Sequence, residues 1–327
     1  MFSKRSSNFA YANQAWNSRQ ETKKVAVAAA ELGFRPPRRR RSRGRDFRIG
    51  VITSDGYGRF TLPILIGAED AFGPGMASVM MCDTRDDPIR EEFYLESLLE
   101  RGVDGIIVTG KSNDPRPSLS EVVPIPVVYA FQPSEDPRDC SLIPDDRHVG
   151  GLAVDHLRSI GRRAIVHVSG PERQEAVKRR LAGLTAALDS AGLELAHPPV
   201  FGVWSERAGR EAVAELLDSR TEFDAVFCAS DQLARGVGTG LREAGRRVPE
   251  EVAVVGVDNW TAIEEAARPP LTTVDLELER LGRQAAQLLA RAWDGKELPA
   301  GRHELPCRLV RRGSTDVGIS AGRGRRR

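Results

Sequence analysis

The segment GIIVTGKS at residues 105–112 has the spelling of a nucleotide-binding P-loop and the composition of a buried β-strand. A P-loop needs its four middle residues in a turn, so that backbone N–H groups surround the phosphates, and a helix that begins at the lysine. Here the middle residues are Ile, Ile, Val and Thr, whose β-branched side chains favour a strand. The following SNDPRP contains two prolines and cannot begin a helix. The segment therefore predicts a buried strand rather than a phosphate site.

This strand belongs to a series in which short apolar runs alternate with stretches of helical length. The runs FRIGVIT (47–53) and ASVMMCD (77–83) precede it, and PVVYA (126–130) follows it. The amphipathic stretches LPILIGAEDAF and IREEFYLESLLERG separate the first three runs. Such alternation is typical of a parallel sheet built from βαβ units.

A second series begins after DRHVGGLAVDHLRSIG. Its predicted strands are AIVHVSG (164–170), PPVFGV (198–203), AVFCAS (225–230) and VAVVGVD (252–258), with helices near 173–191, 206–219 and 231–244. Two such series predict an α/β protein with two doubly wound parallel-sheet lobes. Ligands of open α/β sheets bind beyond the carboxyl ends of the strands. By that rule the candidate binding residues are Ser54, Phe131, Ser169, Ser230, Asp231, Asp258 and Asn259.

The composition is that of an ordinary globular chain. With 327 residues, of which 40% are hydrophobic and 29% charged, it is long enough for two domains. It has no apolar run of the roughly 18 residues that a membrane span needs, and its first residues lack the apolar core of a signal peptide, so a cytoplasmic protein with no membrane partner is expected. The four cysteines form no C-x-x-C and the five histidines lack metal-ligand spacing. We therefore expect neither a metal site nor a cofactor.

Positive charge is concentrated near the N-terminus. Residues 1–48 hold 13 of the 48 Lys and Arg residues but three of the 46 Asp and Glu residues, which leaves the remainder acidic. A basic head suggests a polyanionic partner, and a solvated arm without fixed structure is the alternative. The capping box Ser18–Glu21 predicts a short helix at about 19–32 that ends at Gly33. The following PPRRRRSRGRD (36–46) has no apolar residue and is expected to be a linker.

Taken together, these segments resemble the LacI/GalR family of bacterial transcriptional regulators from about Ser18 to Thr315. In the head the resemblance rests on SRQETKKVAVAAAELGFRP. In the body it rests on RGVDGIIV, DDRHVGGLAVDHL, RRLAGLTAAL, VFCASDQLARGV, RVPEEVAVVGVDN and RPPLTTVDLELERLGRQAAQLL, which occur in the family's order. Each segment alone is a weak signal, whereas the ordered set is specific.

The resemblance implies a DNA-binding head, a hinge and two lobes like those of periplasmic sugar-binding proteins. Residues 1–46 would form a partial helix-turn-helix head with an Arg-rich hinge, residues 47–315 the two-lobed effector domain, and residues 316–327 a basic disordered tail. Such a chain crosses between its lobes three times. Lobe 1 is expected at about 47–160 and 276–295, and lobe 2 at about 161–273 and 304–312.

Three residues match positions at which the family binds its effector. Arg180, in KRRLAGL, has a fork of donors that suits vicinal hydroxyls or a carboxylate; the alternative is a surface arginine on a helix. Asp258 would accept hydrogen bonds from ligand hydroxyls or, alternatively, cap the next helix. Trp204 would stack on the apolar face of a pyranose, although a core tryptophan fits the sequence as well.

Other candidate residues follow or depart from the family pattern. Phe60 matches a family aromatic residue and is expected to form the opposite wall. The pair Ser230–Asp231 stands where members usually have Asn–Asp, and Phe131 where they have an acidic or similar polar residue. Because serine reaches less far than asparagine, the bound hydroxyl pattern should differ from that of common members. The identity of the sugar stays open.

The head departs further from the pattern and is expected to be truncated or divergent. Neither the first helix nor the turn of a helix-turn-helix is recognisable, and the hinge has no leucine to insert into the minor groove. The candidate DNA contacts are Arg35, Arg38, Arg39, Arg40, Arg41 and Arg43. Binding through these charges alone would have weak sequence preference and steep salt dependence.

The implied function is that of a homodimeric regulator, a repressor, whose binding to operator DNA is controlled by a small sugar-like effector. The alternative is a sugar-binding protein without sequence-specific DNA binding, either a degenerate regulator or a transport protein that would require an export signal. An enzyme is not expected, because the sequence has no nucleophile elbow, no G-x-G-x-x-G after its first strand and no paired metal ligands.

Overall fold

The structure, a computed structural model, describes residues 47–316 except 74 and 265. The predicted head helix, the linker with Arg35, Arg38, Arg39, Arg40, Arg41 and Arg43, and the tail from residue 317 lie outside the described residues. The described part forms two α/β lobes, each built on a six-stranded sheet. The fold class predicted from the alternating apolar runs is therefore confirmed.

The first lobe contains a fully parallel sheet. Its strands are β1 (Phe47–Thr53), β2 (Ala77–Asp83), β3 (Gly105–Val108), β4 (Val127–Ala130), β5 (Cys140–Pro144) and β11 (Gly301–Leu305), in the order β11-β5-β4-β3-β1-β2. Helices α1 (Thr61–Asp70) and α8 (Leu278–Trp293) cover one face, and α2 (Pro88–Glu100) covers the other. Because helices bury both faces, the central strands are continuous apolar runs, which makes them visible in the sequence.

The second lobe has the same plan with one reversed edge strand. Its strands are β6 (Ile165–Ser169), β7 (Val200–Phe201), β8 (Ala225–Cys228), β9 (Ala253–Val257), β10 (Thr272–Asp275) and β12 (Arg308–Val310), in the order β12-β10-β9-β8-β6-β7. Strand β12 is antiparallel to β10. The helices are α3 (Asp146–Ser159), α4 (Glu175–Ser190), α5 (Glu206–Asp218), α6 (Asp231–Glu243) and the short α7 (Thr261–Glu264).

The segment that resembles a P-loop forms a central strand of the first sheet. Strand β3 lies between β1 and β4, and all four of its residues are buried. After Val108 the chain enters a loop, and the next helix, α3, begins at Asp146. The predicted strand is confirmed, and the strand-to-helix turn that a P-loop requires is not formed at Lys111.

The crossings between the lobes differ in position from the predicted boundaries. Helix α3 packs against α4 and against strands β9 and β10, so the chain enters the second lobe near residue 145 and not near 160. The stretch 304–312, expected to belong to the second lobe, is divided between the two lobes. Its first residues belong to β11, which pairs with β5, and β12 pairs with β10. Pairing partners remote in sequence decide these assignments, so local pattern does not show them.

Three pairs of helices pack with their backbones in close contact through glycines. The pairs are α1 with α8 at Gly67 and Gly282, α3 with α4 at Gly150 and Gly183, and α5 with α6 at Gly209 and Gly236. A Cβ atom at any of these positions would lie 2.3 Å or less from a backbone atom of the partner helix. These contacts hold α4 closely on α3 and α8 on α1, and they support the elements that carry the site described below.

Within residues 47–316, leaving aside 74 and 265, no helix is long and apolar enough to cross a membrane. In the same part of the chain, no group of three or more His, Cys, Asp or Glu side chains is arranged to hold a metal ion. All four cysteines are free thiols, and Cys140, Cys228 and Cys307 are buried.

Candidate functional site

A cleft of about 490 Å³ lies between the two lobes, beyond the carboxyl ends of their strands. Six of the seven residues predicted for an effector line it: Phe60, Phe131, Arg180, Trp204, Ser230 and Asp258. The seventh, Asp231, is completely buried behind the wall. The cleft thus brings together residues that are up to 198 positions apart in the sequence, some predicted from strand ends and others from the resemblance to the family.

Arg180 projects from α4 and is almost completely buried, with 4% of its side chain exposed. Its Nε donates to Oδ1 of Asp146 at 2.7 Å, and Nη1 donates to the carbonyl oxygen of Ala229 at 2.6 Å. Burial raises the pKa of the Asp146 carboxyl, and the guanidinium of Arg180 opposes that rise. These contacts exclude the alternative of a solvated surface arginine and fix the guanidinium at the floor of the cleft.

Asp258 follows β9 in a left-handed backbone conformation, with a φ of 110°. Its Oδ2 forms an ion pair with Nη2 of Arg59, a residue of the loop between β1 and α1 in the opposite lobe. The carboxylate therefore faces the cleft, where it accepts from a guanidinium of the first lobe.

Arg59 is a cleft residue that the sequence analysis misses. Its Nη1 also donates to Oε1 of Gln232 at 3.1 Å, and its guanidinium lies 4.9 Å from the ring centre of Phe60 and 5.0 Å from that of Trp260. Burial lowers the pKa of Arg59 to about 10, which leaves it protonated at neutral pH. Its Nε is buried and makes no hydrogen bond. The signal that could have identified it is its position beside Phe60 in a strand-end loop.

Aromatic rings form apolar surface on both sides of the cleft. In the first lobe Phe60 and Phe131 stack with ring centres 4.3 Å apart. In the second lobe the indole N–H of Trp204 donates to Oε1 of Gln174 at 2.6 Å. The Trp204 ring lies directly over Gly170, where a Cβ atom would be 2.2 Å from Cζ2. Trp204 is thus a half-buried wall residue and not part of the closed core.

Comparison with known proteins places the chain in a family. Residues 154–315 match the model of a periplasmic binding protein-like domain. The HTH-type transcriptional regulator CelR of Thermobifida fusca is 32% identical over 300 residues, which cover 89% of this chain and 88% of CelR. The ribose operon repressor of Escherichia coli is 30% identical over 301 residues, 90% of each chain. The chain belongs to the LacI/GalR family of transcriptional regulators.

Solved structures agree with this assignment. The transcriptional regulator CelR–cellobiose complex matches with a TM-score of 0.68 and 30% identity, over 89% of this chain and 90% of that chain. The LacI/GalR resemblance inferred from the ordered motifs is therefore confirmed. As a regulator of this family, the chain is not an enzyme.

Within this LacI/GalR cleft, the pair Ser230–Asp231 divides into one wall residue and one buried support. The Ser230 hydroxyl accepts from the backbone N–H of Leu233 at 3.3 Å and so caps α6. Asp231 accepts from the Thr273 hydroxyl at 2.6 Å and from the backbone N–H of Trp260 at 2.8 Å. Burial raises the pKa of Asp231 to about 7. Since both oxygens are engaged inside the protein, Asp231 positions Trp260 and does not face the cleft.

The remaining strand-end candidates also lie away from the lining. Asn259 donates from its amide to Asp275 at 3.0 Å, and Ser169 is fully buried at the end of β6. Asn259 thereby connects two strand ends of the second lobe, whereas the buried hydroxyl of Ser169 makes no hydrogen bond to the described residues. The strand-end rule identifies the correct edge of each sheet, but it does not say which of two adjacent residues points outward.

Proposed function

We propose that this LacI/GalR regulator is a repressor whose binding to operator DNA is controlled by a small sugar in the cleft between the lobes. The observation that supports it is the composition of that cleft: aromatic faces on both sides, with a carboxylate, a guanidinium and an amide between them. Aromatic rings cover the apolar C–H faces of a sugar, while forked donors and carboxylates bind its hydroxyls. The names of two relatives, a cellobiose complex and a ribose operon repressor, agree with this ligand class.

The proposed contacts divide between the two lobes. Trp204 in lobe 2 and the stacked pair Phe60–Phe131 in lobe 1 would hold the ring faces of the sugar. The carboxylate of Asp258 would accept from its hydroxyls, in competition with Arg59. A ligand that bound in this way would contact both lobes at once and favour the arrangement in which they are close.

Control of DNA follows from coupling between this cleft and the head. A change in the angle between the lobes would alter the spacing of the two heads of a dimer, so that sugar and operator would influence each other's affinity reciprocally. The DNA contacts are assigned to the basic segment outside the described residues, including Arg35 and Arg38 to Arg41. Such a regulator would act in the cytoplasm.

The dimer itself is part of the proposal. Leu62 and Ile66, one helical turn apart on α1, are 49% and 46% exposed. An apolar stripe of this kind on a regulator of this family is suited to a second copy of the chain. Sedimentation of the intact chain and of the Leu62→Glu, Ile66→Glu variant tests this point. The intact chain should be a dimer and the variant a monomer. If both proteins sediment as monomers, the proposed dimer is contradicted.

The test of the sugar site is calorimetric titration of the full chain with cellobiose and with ribose. Replacing Trp204 by Ala should weaken binding by about tenfold or more, because an aromatic stacking partner contributes on the order of 1 kcal/mol beyond its buried area. Val203→Ala is the matched control, since Val203 is exposed and does not line the cleft. Equal affinities of the Trp204 variant and the intact chain would refute the site.

The test of DNA control uses operator fragments selected from random sequence. Binding of the full chain to these DNA fragments should weaken when the sugar that binds in calorimetry is added. It should also weaken strongly as the salt concentration is raised, if the arginines contact DNA phosphates. Sugar binding without selection of any DNA sequence would instead favour a sugar-binding protein with no specific operator.

A further inference from the structure

The loop after β3 reaches across to the other lobe. Oδ1 of Asp114 accepts from the backbone N–H of Glu175 at 2.9 Å, and Oδ1 of Asn113 accepts from that of Ala176 at 3.1 Å. These are the first two residues of α4. The residues that follow the P-loop-like segment therefore bind helix N–H groups, as a phosphate would, but they bind those of a helix in the second lobe.

Helix α4 has no side-chain cap of its own. The other long helices of the second lobe are capped by the residue before them: α3 by Asp145, α5 by Ser205 and α6 by Ser230. The N-cap residue of α4 is Gln174, and its side chain makes no capping hydrogen bond. Instead, Gln174 accepts from the indole of Trp204. The first lobe thus supplies the acceptors that the start of α4 needs.

The same loop is connected to the floor of the cleft. The Asn113 amide donates to Oδ2 of Asp146, whose other oxygen binds Arg180. Asp114 is held in turn by the hydroxyl of Ser112 at 3.2 Å, and its carbonyl oxygen accepts from Gln132 at 3.2 Å. Asp114 is therefore oriented by its own lobe, whereas Asn113 is oriented by Asp146 of the second lobe.

We propose that Asp114 and Asn113 are positioning residues of the effector site, which cap α4 from the opposite lobe when the lobes are close. Parting the lobes removes both acceptors from the helix and moves a negative charge away from its N-terminus, where the helix dipole favours it. Because α4 carries Arg180 and Gln174 orients Trp204, the cap sets two cleft residues at once. The assignment of a sugar to this site rests on the proposed function; the cap itself does not.

The cap differs from the ion pair between Arg59 and Asp258, which also joins the lobes at the cleft. A sugar hydroxyl that binds Asp258 takes the place of Arg59, so the ion pair and the sugar compete. The sugar does not compete with the cap in this way. Asp114 and Asn113 accept from the N–H groups of α4 both when Asp258 binds Arg59 and when Asp258 binds a sugar hydroxyl. Loss of the cap should therefore weaken sugar binding, since binding must then close the lobes without it.

The test compares three variants of the full chain. Asp114→Ala removes the carboxylate acceptor, Asp114→Asn keeps an oxygen acceptor in the same place, and Asp87→Ala removes a cap of the same kind within the first lobe. Asp87 is the control because its Oδ1 accepts from the N–H of Ile89 at the start of α2. The measurements are hydrogen–deuterium exchange of peptides covering 172–180 and calorimetric titration with cellobiose.

Asp114→Ala should speed exchange at the start of α4 and weaken cellobiose binding by about five- to tenfold, as expected for loss of a helix N-cap. Asp114→Asn should restore most of the protection from exchange and most of the affinity for cellobiose. Asp87→Ala should change neither the exchange at α4 nor the affinity. Unchanged exchange at α4 in Asp114→Ala, or equal exchange in Asp87→Ala, would overturn the proposal. If the intact chain binds neither cellobiose nor ribose while the exchange pattern appears as expected, the sugar assignment fails and the cap stands.

Discussion

Removing either partner of the buried Asp146–Arg180 pair should destabilise the folded chain, but the two losses should depend differently on pH. The side chains are 1% and 4% exposed, and their Oδ1 and Nε atoms are 2.7 Å apart. Removing one member of such a pair costs about 3–5 kcal/mol, because the other charge stays buried without compensation. In the Asp146→Ala variant that charge is the guanidinium of Arg180, and the site no longer holds a carboxyl that could take up a proton as the pH falls. Because Asp146 of the intact chain has a raised pKa and itself favours folding at low pH, the Asp146→Ala penalty should not fall at pH 5 and should be somewhat larger there than at pH 8.

In the Arg180→Ala variant the remaining charge is a carboxylate, which can take up a proton. Burial already raises the pKa of Asp146, and Arg180 is the main group that opposes the rise. A carboxyl whose pKa is higher in the folded than in the unfolded chain favours folding at low pH, and that advantage is lost as the pH rises through the folded-state value. The Arg180→Ala penalty, measured against the intact chain at each pH, should thus be largest at pH 8 and smaller at pH 5.

Urea unfolding of the three proteins at pH 8 and pH 5 measures both penalties. The comparison with the intact chain at the same pH removes contributions that all three share. The reasoning is refuted if the Arg180→Ala penalty is as large at pH 5 as at pH 8, or if the Asp146→Ala penalty shrinks in parallel.

Three further predictions concern single residues. Gly170→Ala should weaken cellobiose binding by about tenfold, because its Cβ would lie 2.2 Å from the Trp204 ring, which must then move by over ~1 Å to reach normal contact. Burial lowers the pKa of His167 to about 4, below the value of about 6.5 expected in the unfolded chain. Between pH 6.5 and pH 4 the unfolded chain therefore takes up a proton that the folded chain does not. The stability present above about pH 6.5 falls by about 3 kcal/mol over this range. His167→Gln should remove this part of the acid unfolding curve. Gly282→Ala should destabilise the chain by about 2–3 kcal/mol in urea, because its Cβ would be 1.9 Å from a carbonyl oxygen of α1.

Each of these three predictions would be contradicted by a specific result. Gly151→Ala is the control for Gly170, because nothing lies within 4 Å of the Cβ it would add. Equal cellobiose affinity in the two variants would mean that the position of the indole does not matter. An acid unfolding curve of His167→Gln that parallels the intact chain would show that His167 is not the group that titrates. A Gly282→Ala variant as stable as the intact chain would show that α1 and α8 can separate at little cost.

The sequence shows most of the secondary structure because its signals are local. The buried strands β1, β3 and β9 are continuous apolar runs, and helices such as α6 repeat apolar residues with a helical period. Strands β5 and β11 are not among the predictions. Strand β5 is a five-residue run, CSLIP, after a charged loop, and β11, GRHEL, has alternating exposure at the edge of the sheet. A five-residue run such as CSLIP is too short to be distinguished from a loop by periodicity, and GRHEL has too few apolar residues to show a strand pattern.

The order of apolar runs along the chain was sufficient to infer two α/β lobes. The family, and with it Phe60, Arg180 and Trp204 of the cleft wall, came from the resemblance of the ordered motifs to LacI/GalR regulators. The tertiary structure alone decided that Arg59 meets Asp258, which is 199 positions away, that Asp114 caps a helix 61 positions away, and that Asp231 faces inward. Periodicity reports which side of a strand or helix is buried, whereas these contacts depend on how one lobe is placed against the other. That placement is a property of the packed chain and has no counterpart in any short segment.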